Sequence, residues 1–315
     1  MGNFAAYRGL MGLAIAIVLG GCQSQPATLP ESDVPTQTVG HAMGTTLVPV
    51  RPERVVVIDT TPLDAAIALG IEPVGTIRYG APPGYLEDRV SDIEVVGQYN
   101  QPNLEAILRL KPDLILGAKS ISEQIYPRLS QIAPTVFTEG AGRDWDWKNN
   151  FRLFATALGE SEQAEQLLTD YQQTATDLIN AVEPAPENIT VSVLTTIPEG
   201  LVAHTPTSFS GSILQELGFA RNTVQANDAQ FFVRLSNEDL EGPDGDIIFL
   251  LHSPEWETAD KSEFINHPIW SRLKAVQQGA VCEVAADVWG SGRSILAAHQ
   301  VLVDVENCLE QIHSR

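Results

Sequence analysis

The stretch RVVVIDTTPLDAAIALGIEPVGTI, Arg54–Ile77, decides the fold class. Arg54–Asp59 is a short, β-branched apolar run, the pattern of a parallel strand covered on both faces. Pro62–Leu69 then carries apolar residues at helical spacing and stops at Gly70. Pro73–Ile77 returns as a second strand, so the segment reads as a βαβ unit, its helix crossing one face of a parallel sheet.

The alternation continues downstream with helix Leu104–Leu110, strand Asp113–Gly117, helix Glu123–Ile132 and strand Thr135–Thr138. Glu162–Val182 differs. Ala164, Leu167, Leu168, Tyr171, Ala175, Leu178, Ile179 and Val182 mark one face of a single helix, roughly 31 Å long at 1.5 Å per residue, that ends before Pro184 and Pro186. Strands then resume at Thr190–Thr195, Asp246–Leu251 and Ala280–Val284, with helices at Ser212–Leu217, Ile269–Val276 and Ser294–Leu309. Asn103–Gly117 and Ser236–Leu250 echo each other weakly, as do Arg128–Thr138 and Arg272–Val284. The expected architecture is α/β, with two Rossmann-like lobes, 52–161 and 184–315, joined by one rigid helix, 162–183. Ligands of open α/β sheets bind at the carboxyl ends of the strands, so two facing lobes make a cleft.

Upstream, Leu10–Leu19 is an apolar run too short for a bilayer of about 30 Å hydrocarbon. It is followed by Leu19-Gly20-Gly21-Cys22, which resembles the bacterial lipoprotein cleavage signal. In that resemblance 1–21 is a signal peptide and Cys22 is the lipidated first residue. The protein is then exported and membrane-anchored, facing a periplasm or the cell exterior. Residues 22–51 are rich in Pro, Thr, Gln and Ser and read as a tether, with a short hairpin allowed within Val39–Val50.

Composition narrows the function classes. The 315 residues are 43% hydrophobic and 19% charged, which excludes a disordered chain and a polytopic membrane protein. Forty acids against 19 bases give a net charge of −21, the wrong sign for a nucleic-acid binder. No Walker loop, G-x-G-x-x-G or G-x-S-x-G element occurs, no nucleophile–base pair stands out, and none of the six histidines pairs at i, i+4 as on a zinc helix. The chain therefore reads as a non-enzyme, without a direct metal site and with no cofactor beyond the lipid.

The chemistry sits after the strands. Arg78-Tyr79, Tyr99, Trp145, Trp147, His204, Phe231, Arg234, Trp289 and Arg293 all follow or separate predicted elements. Trp, Tyr, Phe and Arg together suit an amphipathic organic ligand with acidic oxygens. With Cys22 lipidated, Cys282 and Cys308 remain. A last helix running back along its preceding strand brings them together, so they are either disulfide-bonded or two buried free thiols.

Five blocks in order, RPERVVVIDTTPLDAAIALGIEPVGT (Arg51–Thr76), PNLEAILRLKPDLILG (Pro102–Gly117), SFSGSILQELGF (Ser208–Phe219), HPIWSRLKAVQQGAV (His267–Val281) and WGSGRSILAAHQVL (Trp289–Leu302), resemble the periplasmic substrate-binding proteins of iron–siderophore ABC importers. The resemblance implies the class III periplasmic-binding-protein fold and a monomeric carrier that delivers a ferric siderophore to membrane permease subunits. Cobalamin or haem is the nearest variation, and a free-metal receptor is a more distant one. It also implies permease docking through a carboxylate on each lobe: Glu105 on the first and, because Ser212 occupies the matching position of the second, Glu216 one turn away.

Overall fold

The structure, a computed structural model, describes residues 34–78, 83–140, 146–197, 200–226, 230–236, 239, 241–252 and 265–314. Residues 1–21, expected as a signal peptide, and the candidates Cys22, Tyr79 and Trp145 lie outside the described residues.

The first sheet holds six strands in the order β6-β5-β4-β3-β7-β8: Gln101–Pro102, Glu94–Gln98, Gly75–Arg78, Val55–Val57, Leu114–Ala118 and Thr135–Thr138. All its pairings are parallel except the short β5–β6 edge. Successive residues of the inner strands serve two cores. Val55 and Val57 face the helices shared by both lobes, whereas Val56 and Ile58 face an outer layer with Ile77, Val96, Ile107 and Phe137. This two-sided burial is why the strand reads as an unbroken apolar run. The strand order reverses between β3 and β7, which opens a crevice at their carboxyl ends.

The second sheet runs β12-β10-β9-β13-β14: Phe232–Leu235, Gly200–His204, Thr190–Ile197, Ile247–His252 and Val281–Ala285, with β11 (Ala220–Arg221) beside the start of β9. β9, β13 and β14 are parallel, while β10 and β12 form an antiparallel extension. Ile247, Phe249 and Leu251 join the shared core; Ile248 and Leu250 pack outward with Leu194, Leu201 and Trp270.

The connecting helix spans Ser161–Ala181, within two residues of expectation at either end, and buries Ala164, Leu168, Tyr171, Ala175 and Leu178. A second helix, Trp147–Leu158, precedes it where the sequence reading had none. The two are separated by Gly159 at φ +80°, where a Cβ would lie 2.2 Å from the Val50 carbonyl oxygen.

The folded body starts earlier than expected. β1 (Thr36–His41) and β2 (Gly44–Pro49) form an antiparallel hairpin. Val39 and Val48 are buried in the core, and the hairpin is pinned by Ala42 N donating to Phe137 O and Gln37 Nε2 to Thr156 O. The body therefore begins near Val34 rather than Pro52. With one fully buried residue per strand, neither strand displays the apolar alternation that would have marked it.

Cys282 on β14 and Cys308 on the final helix, Ile295–His313, are joined in a disulfide. The first turn of that helix is capped from the other lobe: both oxygens of the buried Asp64, on helix Thr60–Ala68, accept from Leu296 N and Ala297 N at 3.0 Å each. Tyr85 Oη donates to the same carboxylate at 3.0 Å. Burial holds the Asp64 carboxyl up at about 6, although these donors pull the other way.

Candidate functional site

The site grows out of strand alternation in the second sheet. On β10, Leu201 and Ala203 pack into the outer core, which turns Val202 and His204 to the opposite face. Val202 stands opposite Thr195 of β9 and Arg234 of β12, and His204 stands opposite Phe232. Thr195, Ile197, Val202, His204, Phe232 and Arg234 therefore share one sheet face. With Ser208, Phe209, Phe231, Leu251, Ala286, Trp289, Ser291 and Arg293, all of these except Arg234 line a cavity of about 240 Å³. It lies at the carboxyl ends of β9, β13 and β14 and abuts the first lobe, whose Thr60 hydroxyl donates to Ser291 O at 3.0 Å.

His204 Nε2 lies 2.9 Å from Thr195 Oγ1. Burial, reinforced by the positive charge of Arg221, lowers its pKa to about 4, so the imidazole is neutral at neutral pH. Arg221 donates to the His204 carbonyl and to Gln225 Oε1. The Gln225 side chain in turn bridges Val193 N and O, filling the place where β10 has ended. Arg293 is buried at φ +56°, an uncommon conformation for a residue with a Cβ, and Arg293 Nε donates to Gly290 O at 3.1 Å.

The candidates expected from the sequence fall into three groups. His204, Phe231, Trp289 and Arg293 meet in this one cavity, with Arg234 on the same sheet face. Arg78 and Tyr99 meet at the carboxyl edge of the first sheet, where Tyr99 N donates to Arg78 O at 2.9 Å and Asn100 sits at φ +61°. Trp147 belongs to neither. It is 1% exposed, packed edge-to-face on Tyr171 and Phe209, and serves the core. Trp289 lines the cavity from a fully buried position, stacked on Phe249 at 4.7 Å, and its Nε1 donates to Asp304 Oδ2 at 2.8 Å. It forms the floor of the cavity.

Of the two carboxylates expected to dock, Glu105 is exposed in the first turn of helix Leu104–Arg109, which Asn103 caps. Glu216 is already engaged. Its oxygens accept from Lys148 Nζ at 2.7 and 2.8 Å and from Tyr171 Oη at 3.3 Å. Lys148 lies over the rings of Trp147 and Tyr171, so Glu216 ties the lobes together instead of standing free.

Thr195, Ile197, Val202 and Arg221 were not anticipated. β10 and β12 are short, and a lone arginine after a helix stop carries no motif. Among the described residues no group of three metal-ligating side chains comes together, and no helix is long and apolar enough to cross a membrane.

The chain matches the periplasmic binding protein family over residues 55–288. It is 34% identical to the probable siderophore-binding lipoprotein YfiY of Bacillus subtilis, over 93% of this chain and 94% of the relative. It is 30% identical to the Fe(3+)-citrate-binding protein YfmC of the same organism, over 93% of each. Among solved structures, it is similar to Staphylococcus aureus SirA complexed with staphyloferrin B, at 28% identity and a TM-score of 0.77, covering 87% of this chain and 99% of that one. Two α/β sheets, a connecting helix and a cavity at the strand ends are the framework of a substrate-binding protein, and the chain belongs to the periplasmic binding protein family.

Proposed function

We propose that the protein captures a ferric siderophore and delivers it to an ABC importer, held at a membrane by lipid on Cys22. The observation that carries this reading is the cavity at the strand ends of the second lobe, beside its contact with the first. Its wall combines apolar and aromatic side chains with Arg293 and a neutral His204, the lining that suits a metal already wrapped in an organic chelate. Relatives with siderophore and ferric-citrate names support it. The iron arrives chelated, so the protein supplies donors to the chelate's oxygens rather than ligands to the metal.

Arg78 and Tyr99 form the opposing first-lobe contact in this reading. The continuous core through the connecting helix keeps lobe closure small on binding. Glu105 is the first-lobe docking carboxylate; the engaged Glu216 is not retained in that role.

Titrating purified protein with ferric siderophores, followed by tryptophan fluorescence quenching, tests the reading. Saturable binding of at least one ferric chelate is expected, with no response to ferric ion alone. Tight binding of haem or cobalamin, without any ferric chelate, would replace the substrate class. Cys22→Ala is expected to release the protein from membranes, and Glu105→Ala to reduce uptake with ligand affinity unchanged.

A further inference from the structure

A chain with 40 acids and 19 bases has few surfaces free of carboxylates, yet among the described residues lining the cavity there is no Asp or Glu. The charged residue in that lining is an arginine, and two more stand close by. Arg293 lines it, and Arg234 stands exposed on the same sheet face, opposite Val202. Behind His204 lies a third, Arg221, whose Nε and Nη1 are shut from solvent and have no hydrogen-bond partner. Its Nη2 makes both of its bonds to neutral oxygens, the His204 carbonyl and Gln225 Oε1, so no described carboxylate balances its charge. An uncompensated buried cation costs several kcal/mol, because its field is poorly screened in a low-dielectric interior. That same weak screening carries the field to a ligand.

We propose that the cavity selects chelates bearing free carboxylates, with Arg221 as the half-buried fixed cation behind His204, Arg293 as the donor in the wall and Arg234 as a donor on the adjoining part of the same sheet face. This rests on the ferric-siderophore reading and narrows it to a ligand class. Arg221 is a positioning and field-setting residue: it holds the end of β10 through the His204 carbonyl and adds to the burial that lowers the His204 pKa, while Arg234 and Arg293 are the side chains that meet the carboxylates.

The test titrates the parent protein with ferric citrate and ferric staphyloferrin B, which carry carboxylates, and with ferrichrome and ferrioxamine B, ferric trihydroxamates without them. The carboxylate chelates are expected to bind more tightly by about 100-fold or more, with an affinity that falls as salt rises. Arg234→Gln, at an exposed position, is expected to lose about tenfold towards the carboxylate chelates, in line with one charge-assisted hydrogen bond, and nothing towards the hydroxamates. Arg221→Gln is expected to lose more, and to raise the His204 titration seen by NMR from about 4 while leaving it below 6.5, since burial is the larger cause. Equal affinity for hydroxamates overturns the proposal and leaves the ferric-siderophore reading standing. So does carboxylate affinity that survives both substitutions. Should Arg221→Gln not fold, the ranking of chelates on the parent and the Arg234→Gln result decide the matter. If no ferric chelate of either kind binds, the underlying reading falls and the proposal with it.

Discussion

Each lobe contains a buried ionisable side chain, and burial moves the two in opposite directions. Asp64 in the first lobe is pushed up to about 6; His204 in the second is lowered to about 4. The cause is common to both, since a low-dielectric interior disfavours whichever form is charged. A carboxyl escapes by keeping its proton and an imidazole by losing it. The first lobe uses its group to hold the other lobe's helix, and the second uses its group to face the cavity. At neutral pH the imidazole is neutral, whereas Asp64, with both oxygens accepting, is still mostly a carboxylate that gains its proton about one pH unit lower.

The largest effect that separates the lobes is expected at the cavity floor. Trp289→Ala removes a side chain stacked on Phe249 and one of the two donors to the Asp304 carboxylate, so it should cost about 3–5 kcal/mol in urea unfolding and also weaken ligand binding. Trp147→Ala should cost a similar amount but leave the affinity of the remaining folded protein unchanged. A binding loss confined to the Trp147 variant would reverse the assignment of the two tryptophans.

Next comes the disulfide. Replacing Cys282 and Cys308 with Ser should lower stability by about 3 kcal/mol in the loop-entropy description, read from urea midpoints under non-reducing conditions. Two titratable thiols in the denatured, unreduced parent would remove the basis for this expectation.

The pH comparison is the sharpest. Asp64 titrates higher in the folded protein than unfolded, so its contribution to stability rises as pH falls from about 6 towards 3.8. His204 titrates lower when folded, so its contribution is lost as pH falls from 6.5 towards about 4. Each is worth at most roughly 3 kcal/mol, and the two slopes nearly cancel. Relative to the parent, Asp64→Asn should therefore lose stability on acidification, while His204→Gln should gain it. Unfolding midpoints at neutral pH and near pH 5 check both signs, and parallel pH profiles for parent and variants would break the comparison.

The smallest effect belongs to the exposed edge of the lobe junction. Lys148→Ala should cost about 1 kcal/mol, since the pair with Glu216 is partly solvated and its cation–π contacts are modest. Thermal unfolding at low and high salt would show it.

What the sequence revealed follows from burial. β3, β7, β9 and β13 are covered on both faces, so their runs of Val, Ile and Leu announce strands without any partner being known. The 21-residue helix Ser161–Ala181 is long enough for its apolar face to repeat several times. Helix Trp147–Leu158 carried a comparable signal, with Trp147, Phe151, Phe154 and Leu158 at i, i+4, i+7 and i+11. Trp147 suits a ligand contact as well as a helix face, and its spacing is what decides for the helix. Cavity residues such as Val202 and Thr195 become site residues only through the register of β9, β10 and β12, which antiparallel pairing sets and no single strand encodes. Arg221 is less legible still, because its importance lies in the partners it lacks.

The capping of the final helix by Asp64 bears on the order of assembly. The acceptor lies 232 residues before the first of the two amides it serves. Ser294, at the position that usually caps a helix itself, makes no such bond from its side chain. Closing that first turn therefore requires a contact spanning most of the chain, the slowest kind to form. A chain synthesised from its amino terminus presents Asp64 long before Leu296 and Ala297 exist. The amino-terminal lobe is thus a template on which the carboxyl-terminal helix is finished, and a chain truncated before residue 296 would be left with a buried carboxylate and no amides to receive.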